Sequence, residues 1–151
     1  MFKTQYAAVV ILLVVAGAAA QEKKIQHTDL PAAVEETVSE QSQGSTIKGF
    51  SREQENGQTF YEAEMTLNGH SKDILIGTNG ALIEIEEQVA IDSLPAAVKQ
   101  GLQTEAGSGK ILKVESLTKH DKLVAYEAKV QTAGKKKEIQ VDPDGKPLVH
   151  E

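Results

Sequence analysis

The chain contains no cysteine and no tryptophan. That excludes disulfides, thiol nucleophiles and cysteine-ligated zinc or iron–sulfur centres, so stability must come from packing alone. Aromatic residues are few, three Phe and three Tyr in 151 positions, and Phe2 and Tyr6 lie in an N-terminal leader. The core must then be assembled from Ile, Leu, Val and Ala. Basic charge is also short: 16 Lys and Arg stand against 22 Asp and Glu, a net −6. Such a chain lacks the basic footprint of a nucleic-acid binder and does not suit an anionic membrane surface.

The one strongly apolar run is at the start. Lys3 precedes an apolar stretch from Tyr6 to Gly17, followed by the small residues Ala18, Ala19 and Ala20. This is the pattern of a secretory signal peptide over 1–20, cleaved before Gln21. Its roughly 15 apolar residues are fewer than the 18–20 that span a bilayer. The expected mature protein is therefore periplasmic or secreted, with no stable membrane span. Without Lys3 the balance is 15 basic against 22 acidic residues, or −7. From His27 to Val89 there are 3 basic and 12 acidic residues, and from Ala90 to Glu151 there are 10 and 9. The first half is acidic and the second nearly neutral, which is either a solvated-surface accident or a sign that the halves face different partners.

An internal repeat organises the rest. Leu30-Pro31-Ala32-Ala33-Val34 recurs as Leu94-Pro95-Ala96-Ala97-Val98, 64 positions on. Tyr61-Glu62-Ala63 recurs as Tyr126-Glu127-Ala128, Ile74 and Ile76 as Ile139 and Val141, and Asn79-Gly80 as Asp144-Gly145, all at 65. Two units are expected, at 27–89 and 90–151. Each opens with a short amphipathic helix. Pro31 and Pro95 suit its first turn, and Asp29 and Ser93 just upstream are placed to cap it. Leu30, Ala33, Val34 and Val38 fall on one helical face, as do Leu94, Ala97, Val98 and Leu102. Gly44 and Gly107-Ser108-Gly109 mark the helix ends.

Strands follow in each unit. Tyr61, Ala63, Met65 and Leu67 alternate with Glu62, Glu64 and Thr66; Val124, Tyr126, Ala128 and Val130 alternate with Glu127 and Lys129. One buried and one wet face is the mark of an antiparallel sheet. Asn56-Gly57, Asn68-Gly69, Asn79-Gly80, His120-Asp121, Ala133-Gly134 and Asp142–Gly145 punctuate at hairpin spacing. The expected fold is α+β: two tandem repeats, each a helix packed on a four-stranded antiparallel sheet. The strands are placed at 46–53, 59–67, 72–77 and 81–86, then at 110–118, 122–131, 136–141 and 146–149. A unit of about 60 residues is marginal alone, so the two should share a sheet or an interface. With both helices over the Tyr61 and Tyr126 faces, the other face stays open as a binding platform.

The Leu-Pro-Ala-Ala-Val helix start, the Tyr-Glu-Ala strand and the Glu138-Ile139-x-Val141-Asp142-x-Asp144-Gly145-Lys146 segment resemble the PepSY-like group, in two copies from Asp29 to about Val149. The resemblance implies a small exported domain with a helix-on-sheet fold like the β-lactamase inhibitory protein. Related PepSY domains occur in propeptides of thermolysin-type metallopeptidases, where an inhibitory role has been proposed. The first copy departs from the pattern, with Gly77-Thr78-Asn79-Gly80 in place of Asp142-Pro143-Asp144-Gly145. The group supplies no catalytic residues to carry over.

Chemical motifs are weak. Gly107-Ser108-Gly109-Lys110 lacks the glycine and hydroxyl of a phosphate loop, whose positions hold Thr104 and Ile111; it fits a helix-ending turn. Asp142-x-Asp144-Gly145 lacks the further oxygen ligands of a calcium loop and would place Lys146 in the site, so it fits a tight turn. His27, His70, His120 and His150 have no metal-ligand spacing. Glu62 and Glu127 are equivalent strand positions, explained by repetition without a catalytic pair, and no nucleophile elbow is present. Lys135, Lys136 and Lys137 fit the guarding of a sheet edge. No catalytic, cofactor or metal site is assigned, and an enzyme is not expected. The expected function is an exported binding module that holds a protein partner on the open sheet face, in one form inhibiting a peptidase or other enzyme; the alternative is a small-ligand or cation sensor of the cell envelope. Glu62, Glu64, Glu84 and Glu86 are the expected binding residues, because four like charges on one small face invite a cationic partner.

Overall fold

The computed structural model describes residues 22–148. The expected signal peptide at 1–20, Val149 and His150 lie outside the described residues. The elements run β1 (Lys23–Ile25), α1 (Ala32–Gln41), β2 (Ser45–Glu55), β3 (Gln58–Leu67), β4 (His70–Gly77), β5 (Leu82–Val89), α2 (Ala96–Ala106), β6 (Lys110–Lys119), β7 (Lys122–Thr132) and β8 (Lys135–Val141). The strands form one antiparallel sheet in chain order, β1 to β8. No helix of the described residues is long and apolar enough to cross a membrane.

Turn chemistry sets this meander. Asn56-Gly57, Asn68-Gly69, His120-Asp121 and Ala133-Gly134 all have both central residues at positive φ. Those are the two-residue turns whose twist matches paired strands. β2 and β6 each carry a bulge, between Ile47 and Gly49 and between Ile111 and Lys113, again 64 residues apart.

The two repeats share the sheet and keep separate half-cores. Under α1, Val34 and Val38 pack with Phe50, Ala63, Met65, Ile74 and Ile76. Under α2, Leu94, Val98, Leu102 and Ala106 pack with Val114, Ala128, Val130, Ile139 and Val141. Ile85 packs against the first cluster and Val89 against the second. They are four residues apart on β5, hence on one face, so both helices cover the same side. β5 joins the halves, pairing with β6 from Glu84–Lys119 to Val89–Val114.

The conserved spacing of the repeat anchors has a packing cause, because the anchors touch. The turn after β4 is closed by the Gly80 N–H on the Gly77 carbonyl, and the turn after β8 by the Gly145 N–H on the Asp142 carbonyl, at 2.9 Å each. Gly80 sits at φ +82 against the Ala33 backbone, and Gly145 at φ +80 against that of Ala97. In the first copy the Thr37 hydroxyl donates to the Gly80 carbonyl at 2.6 Å. The matching position in the second copy is Gly101, where a Cβ would lie 2.1 Å from the Gly145 carbonyl oxygen. A helix start and a tight turn therefore dock by backbone contact, which holds their separation fixed.

Several expectations need correction. Among the described residues the second copy has three strands, and the expected fourth at 146–149 is represented by one bridge, Val141 to Pro147, and the Leu148 N–H on the Gln140 carbonyl at 3.0 Å. Proline offers no N–H to extend a ladder. An eighth strand comes from Lys23–Ile25, too short to show periodicity in sequence, paired with β2 at Phe50–Arg52. β5 runs on to Val89, three residues past the expected end. Neither Asp29 nor Ser93 caps its helix. Asp29 accepts from the Gln26 N–H at 2.9 Å, and the Ser93 hydroxyl donates to the Ala90 carbonyl at 2.7 Å, each closing a 3-10 turn. The prolines then occupy the cap positions in extended geometry.

Candidate binding face of the sheet

Cross-strand register builds the face opposite the helices. Ser51 of β2 pairs with Glu62 of β3, Glu62 with Leu75 of β4, and Leu75 with Glu84 of β5. A neighbouring row runs from Glu64 through Asp73 to Glu86 and on to Leu117 of β6. Farther along the sheet, Glu115, Glu127 and Gln140 form one row across β6, β7 and β8. Beside these two rows lies a shallow cavity of about 70 Å³ lined by Glu53, Glu62, Asp73, Ile74, Leu75, Glu84 and Glu86.

The two halves of this face treat their carboxylates differently. In the second half each one has a partner. Lys113 Nζ lies 2.5 Å from Glu115 and Lys129 Nζ 3.4 Å from Glu138. Gln140 Nε2 donates to Glu127 at 2.7 Å. In the first half, Lys24 pairs with Glu64, the Ser51 hydroxyl donates to Glu62 at 2.8 Å, and Lys119 Nζ lies 2.8 Å from Glu84. Glu53, Asp73 and Glu86 have no ion pair among the described residues.

These three acids hold protons unusually well. Burial, then the charges of Glu62 and Glu22, pushes Glu53 up to about 7. Burial, then Glu62 and Glu115, pushes Asp73 up to about 6. Burial, followed by the contact with Glu84, pushes Glu86 up to about 9. Burial also raises Glu62 and Glu127, against the hydrogen bonds from Ser51 and Gln140 that favour their charged forms.

The stability consequence has a definite sign. A carboxyl whose pKa is higher folded than unfolded binds extra protons in the folded state. Its contribution is complete below the unfolded value, near 4, and is lost as pH rises through the folded values of about 6, 7 and 9. The groups are partly solvated, so the loss is well below the full shift, about 2 kcal/mol between pH 5.5 and 9. Glu86→Gln should remove much of that slope and raise stability at pH 9. Urea unfolding at the two pH values checks this; wild-type stability that rises with pH would contradict it.

The four expected binding residues all fall on this face, but not all are free. Glu84 is buried against Lys119, and Glu64 is engaged by Lys24. Glu53, Asp73 and Leu75 were missed. The alternation of Asp73 and Leu75 with Lys72, Ile74 and Ile76 places both on the open side, but an apolar residue there breaks the wet-face pattern. Glu62 and Glu127 sit on β3 and β7, four strand spacings or about 19 Å apart, too far to act as a carboxylate pair. Of the histidines, His27 packs on Phe50 with ring centroids 5.5 Å apart. His70 opens β4 and His120 lies in the β6–β7 turn, so the three described histidines sit in separate elements. Asp142 Oδ1 accepts from the Asp144 and Lys146 N–H groups at 2.9 Å each, which closes the turn. Two carboxylate triplets, Glu22–Glu62–Glu64 and Asp73–Glu86–Glu115, each bring oxygens within 4.8 Å of one another.

Neither a protein-family model nor a curated protein sequence matches the chain. Solved structures do. A candidate periplasmic protein from Bacteroides eggerthii superposes with a TM-score of 0.65 at 18% identity, covering 80% of this chain and 86% of that one. A BLIP-like protein from Bacteroides fragilis gives 0.59 at 20% identity, over 80% and 84%. The chain has the BLIP-like fold. A DUF2874 family protein from Bacteroides uniformis gives 0.62 at 18% identity, over 79% and 86%. At such identities the likeness is one of fold alone.

Proposed function

We infer that the protein is a periplasmic, non-enzymatic binding module that holds a protein partner on its helix-free sheet face. The observation that carries this is the charge imbalance of that face. In its second half Glu115 and Glu138 are met by lysines and Glu127 by the Gln140 amide, whereas Glu53, Asp73 and Glu86 in the first half have no ion pair among the described residues and lie around Ile74 and Leu75. A face of this kind favours a basic partner surface. The leader at 1–20 and the periplasmic description of the B. eggerthii protein support the location. The PepSY-like motifs and the BLIP-like fold support inhibition of a peptidase or other enzyme as the form binding takes.

Capture from a cell-envelope extract with the exported protein tests this. One stoichiometric protein should be recovered. Glu64→Lys combined with Glu62→Gln, which spares the Ser51 contact, should weaken its binding about tenfold and flatten the salt dependence. Glu127→Gln in the second half should change it less than twofold. Equal affinity in all three proteins would make the face an ordinary solvated surface.

The second reading is cation sensing, and the two carboxylate triplets favour it. A millimolar calcium- or magnesium-dependent thermal shift, lost in Asp73→Asn, with no protein captured, would select it.

A further inference from the structure

We propose that Asn56 and Asn68 are sites of spontaneous deamidation, each converting in the folded protein to aspartate and isoaspartate, while Asn79 is held unreactive by the turn that docks on α1. The chain has three asparagines, all in the first repeat, and each is followed by glycine: Asn56-Gly57, Asn68-Gly69 and Asn79-Gly80. A following glycine favours this chemistry, because with no Cβ it leaves its own nitrogen unshielded and its backbone free to turn. The glycine N–H gives its proton to hydroxide, and the nitrogen attacks the asparagine Cγ. A new C–N bond closes a five-membered succinimide, and the side-chain nitrogen takes up a proton and leaves as ammonia. Water then opens the ring. Addition at Cγ yields aspartate; addition at the main-chain carbonyl yields isoaspartate, whose backbone runs through the former side chain.

The reacting dipeptide is the same at all three sites and all three asparagines are exposed, so local geometry separates them. Gly57 and Gly69 are exposed hairpin residues at φ +76 and +83, and neither N–H donates a turn hydrogen bond among the described residues. The space beside them is open, since an added Cβ would meet nothing within 4 Å. The peptide between asparagine and glycine is therefore free to rotate toward Cγ. At Asn79 four contacts oppose that rotation. The Gly80 N–H, which must attack, donates to the Gly77 carbonyl at 2.9 Å. The Gly80 carbonyl accepts from the Thr37 hydroxyl at 2.6 Å. Gly80 lies so close to Ala33 that an added Cβ would fall 2.6 Å from its carbonyl oxygen. Asn79 Oδ1 accepts from the Ala81 N–H at 3.1 Å, which fixes the side chain that must swing. Conversion at Asn56 and Asn68 would change the balance of residues 27–89 from 3 basic against 12 acidic to 3 against 14. Isoaspartate would also add a main-chain carbon to a two-residue turn whose twist the paired strands require. The second repeat escapes this chemistry: it has no asparagine, and His120-Asp121, Ala133-Gly134 and Asp144-Gly145 occupy the matching turns.

The test holds the exported protein in heavy-oxygen water at mildly alkaline pH, once folded and once in urea, followed by digestion at acid pH and peptide mapping by mass spectrometry. Each ring opening fixes one heavy oxygen, so conversion during the incubation is separated from any already present. Electron-transfer fragmentation distinguishes isoaspartate from aspartate. In the folded protein Asn56 and Asn68 should convert about tenfold faster than Asn79, or more, since only the Gly80 N–H is tied in a hydrogen bond. In urea the three rates should agree within about threefold, because the turn contacts are gone. Thr37→Val keeps the side-chain shape and loses the hydroxyl on Gly80, so it should raise the Asn79 rate severalfold and leave the other two unchanged. An Asn79 rate equal to the others in the folded chain, or unmoved by Thr37→Val, would overturn the protection assigned to the docked turn. Asn56 and Asn68 that stay intact in the folded chain yet convert in urea would overturn the two sites.

Discussion

Val98→Asp should destabilise the protein by about 4 kcal/mol, and Val34→Asp by a similar amount. Both valines are fully buried, each facing the sheet from the first turn of its helix. Val98 sits among Val114, Ala128, Ile139 and Val141; Val34 sits among Ala63, Met65, Ile74 and Ile76. Neither core cluster contains a basic residue to meet an aspartate, so the carboxyl is buried unpaired or takes up a proton. Either route is costly. Because the half-cores hang on one sheet, each substitution should lower the same cooperative transition, seen by urea unfolding followed by circular dichroism. A loss below about 1 kcal/mol at both sites would mean that the helices do not dock as described.

Gly145→Ala should cost about 3 kcal/mol or more, through backbone and not side-chain contact. Two strains coincide. The residue is at φ +80, and its new Cβ would lie 2.1 Å from the Ala97 carbonyl oxygen and 2.5 Å from its carbon. Neither neighbour is the end of a flexible side chain, so the helix start must move off the turn. Gly80→Ala should cost less, because its Cβ would meet the Ala33 oxygen at 2.6 Å. Gly134→Ala, at φ +81 in a hairpin turn with nothing within 4 Å, isolates the backbone term and should cost about 1 kcal/mol. The order 145, 80, 134 in thermal midpoints checks the docking of turn on helix. A Gly145→Ala loss no larger than that at Gly134 would contradict it.

The same contact explains why so much of the fold was legible. The Leu-Pro-Ala-Ala-Val and Asn/Asp-Gly anchors are far apart in sequence but meet in space, so their spacing repeats and is legible in the sequence. The hairpins were legible through Asn56-Gly57, Asn68-Gly69 and Ala133-Gly134, whose backbone demands restrict residue choice. What escaped had no such local constraint. β1 is a three-residue strand, and Lys-Lys-Ile has no period. Asp29 and Ser93 look like helix caps, yet the 3-10 turns before the prolines claim them. Alternation puts Glu62, Glu64, Glu84 and Glu86 on the side of the sheet away from the helices. It could not show that Lys24 and Lys119, from the edge strand and from the second repeat, neutralise Glu64 and Glu84. Pairing across 35 or more residues depends on sheet order, which periodicity does not carry.

The most direct test of the binding face is carboxyl footprinting of the exported protein, free and bound to its captured partner, by carbodiimide labelling and mass spectrometry. Glu53, Glu64, Asp73 and Glu86 line one side of the sheet, whereas Glu35, Glu36, Glu40 and Glu105 are exposed on the helices of the other. Binding to the open face predicts that labelling of the first four falls severalfold while the helix set stays unchanged. Protection of Glu35, Glu36, Glu40 and Glu105 with no change at the sheet carboxylates would place the partner on the helices and contradict the account.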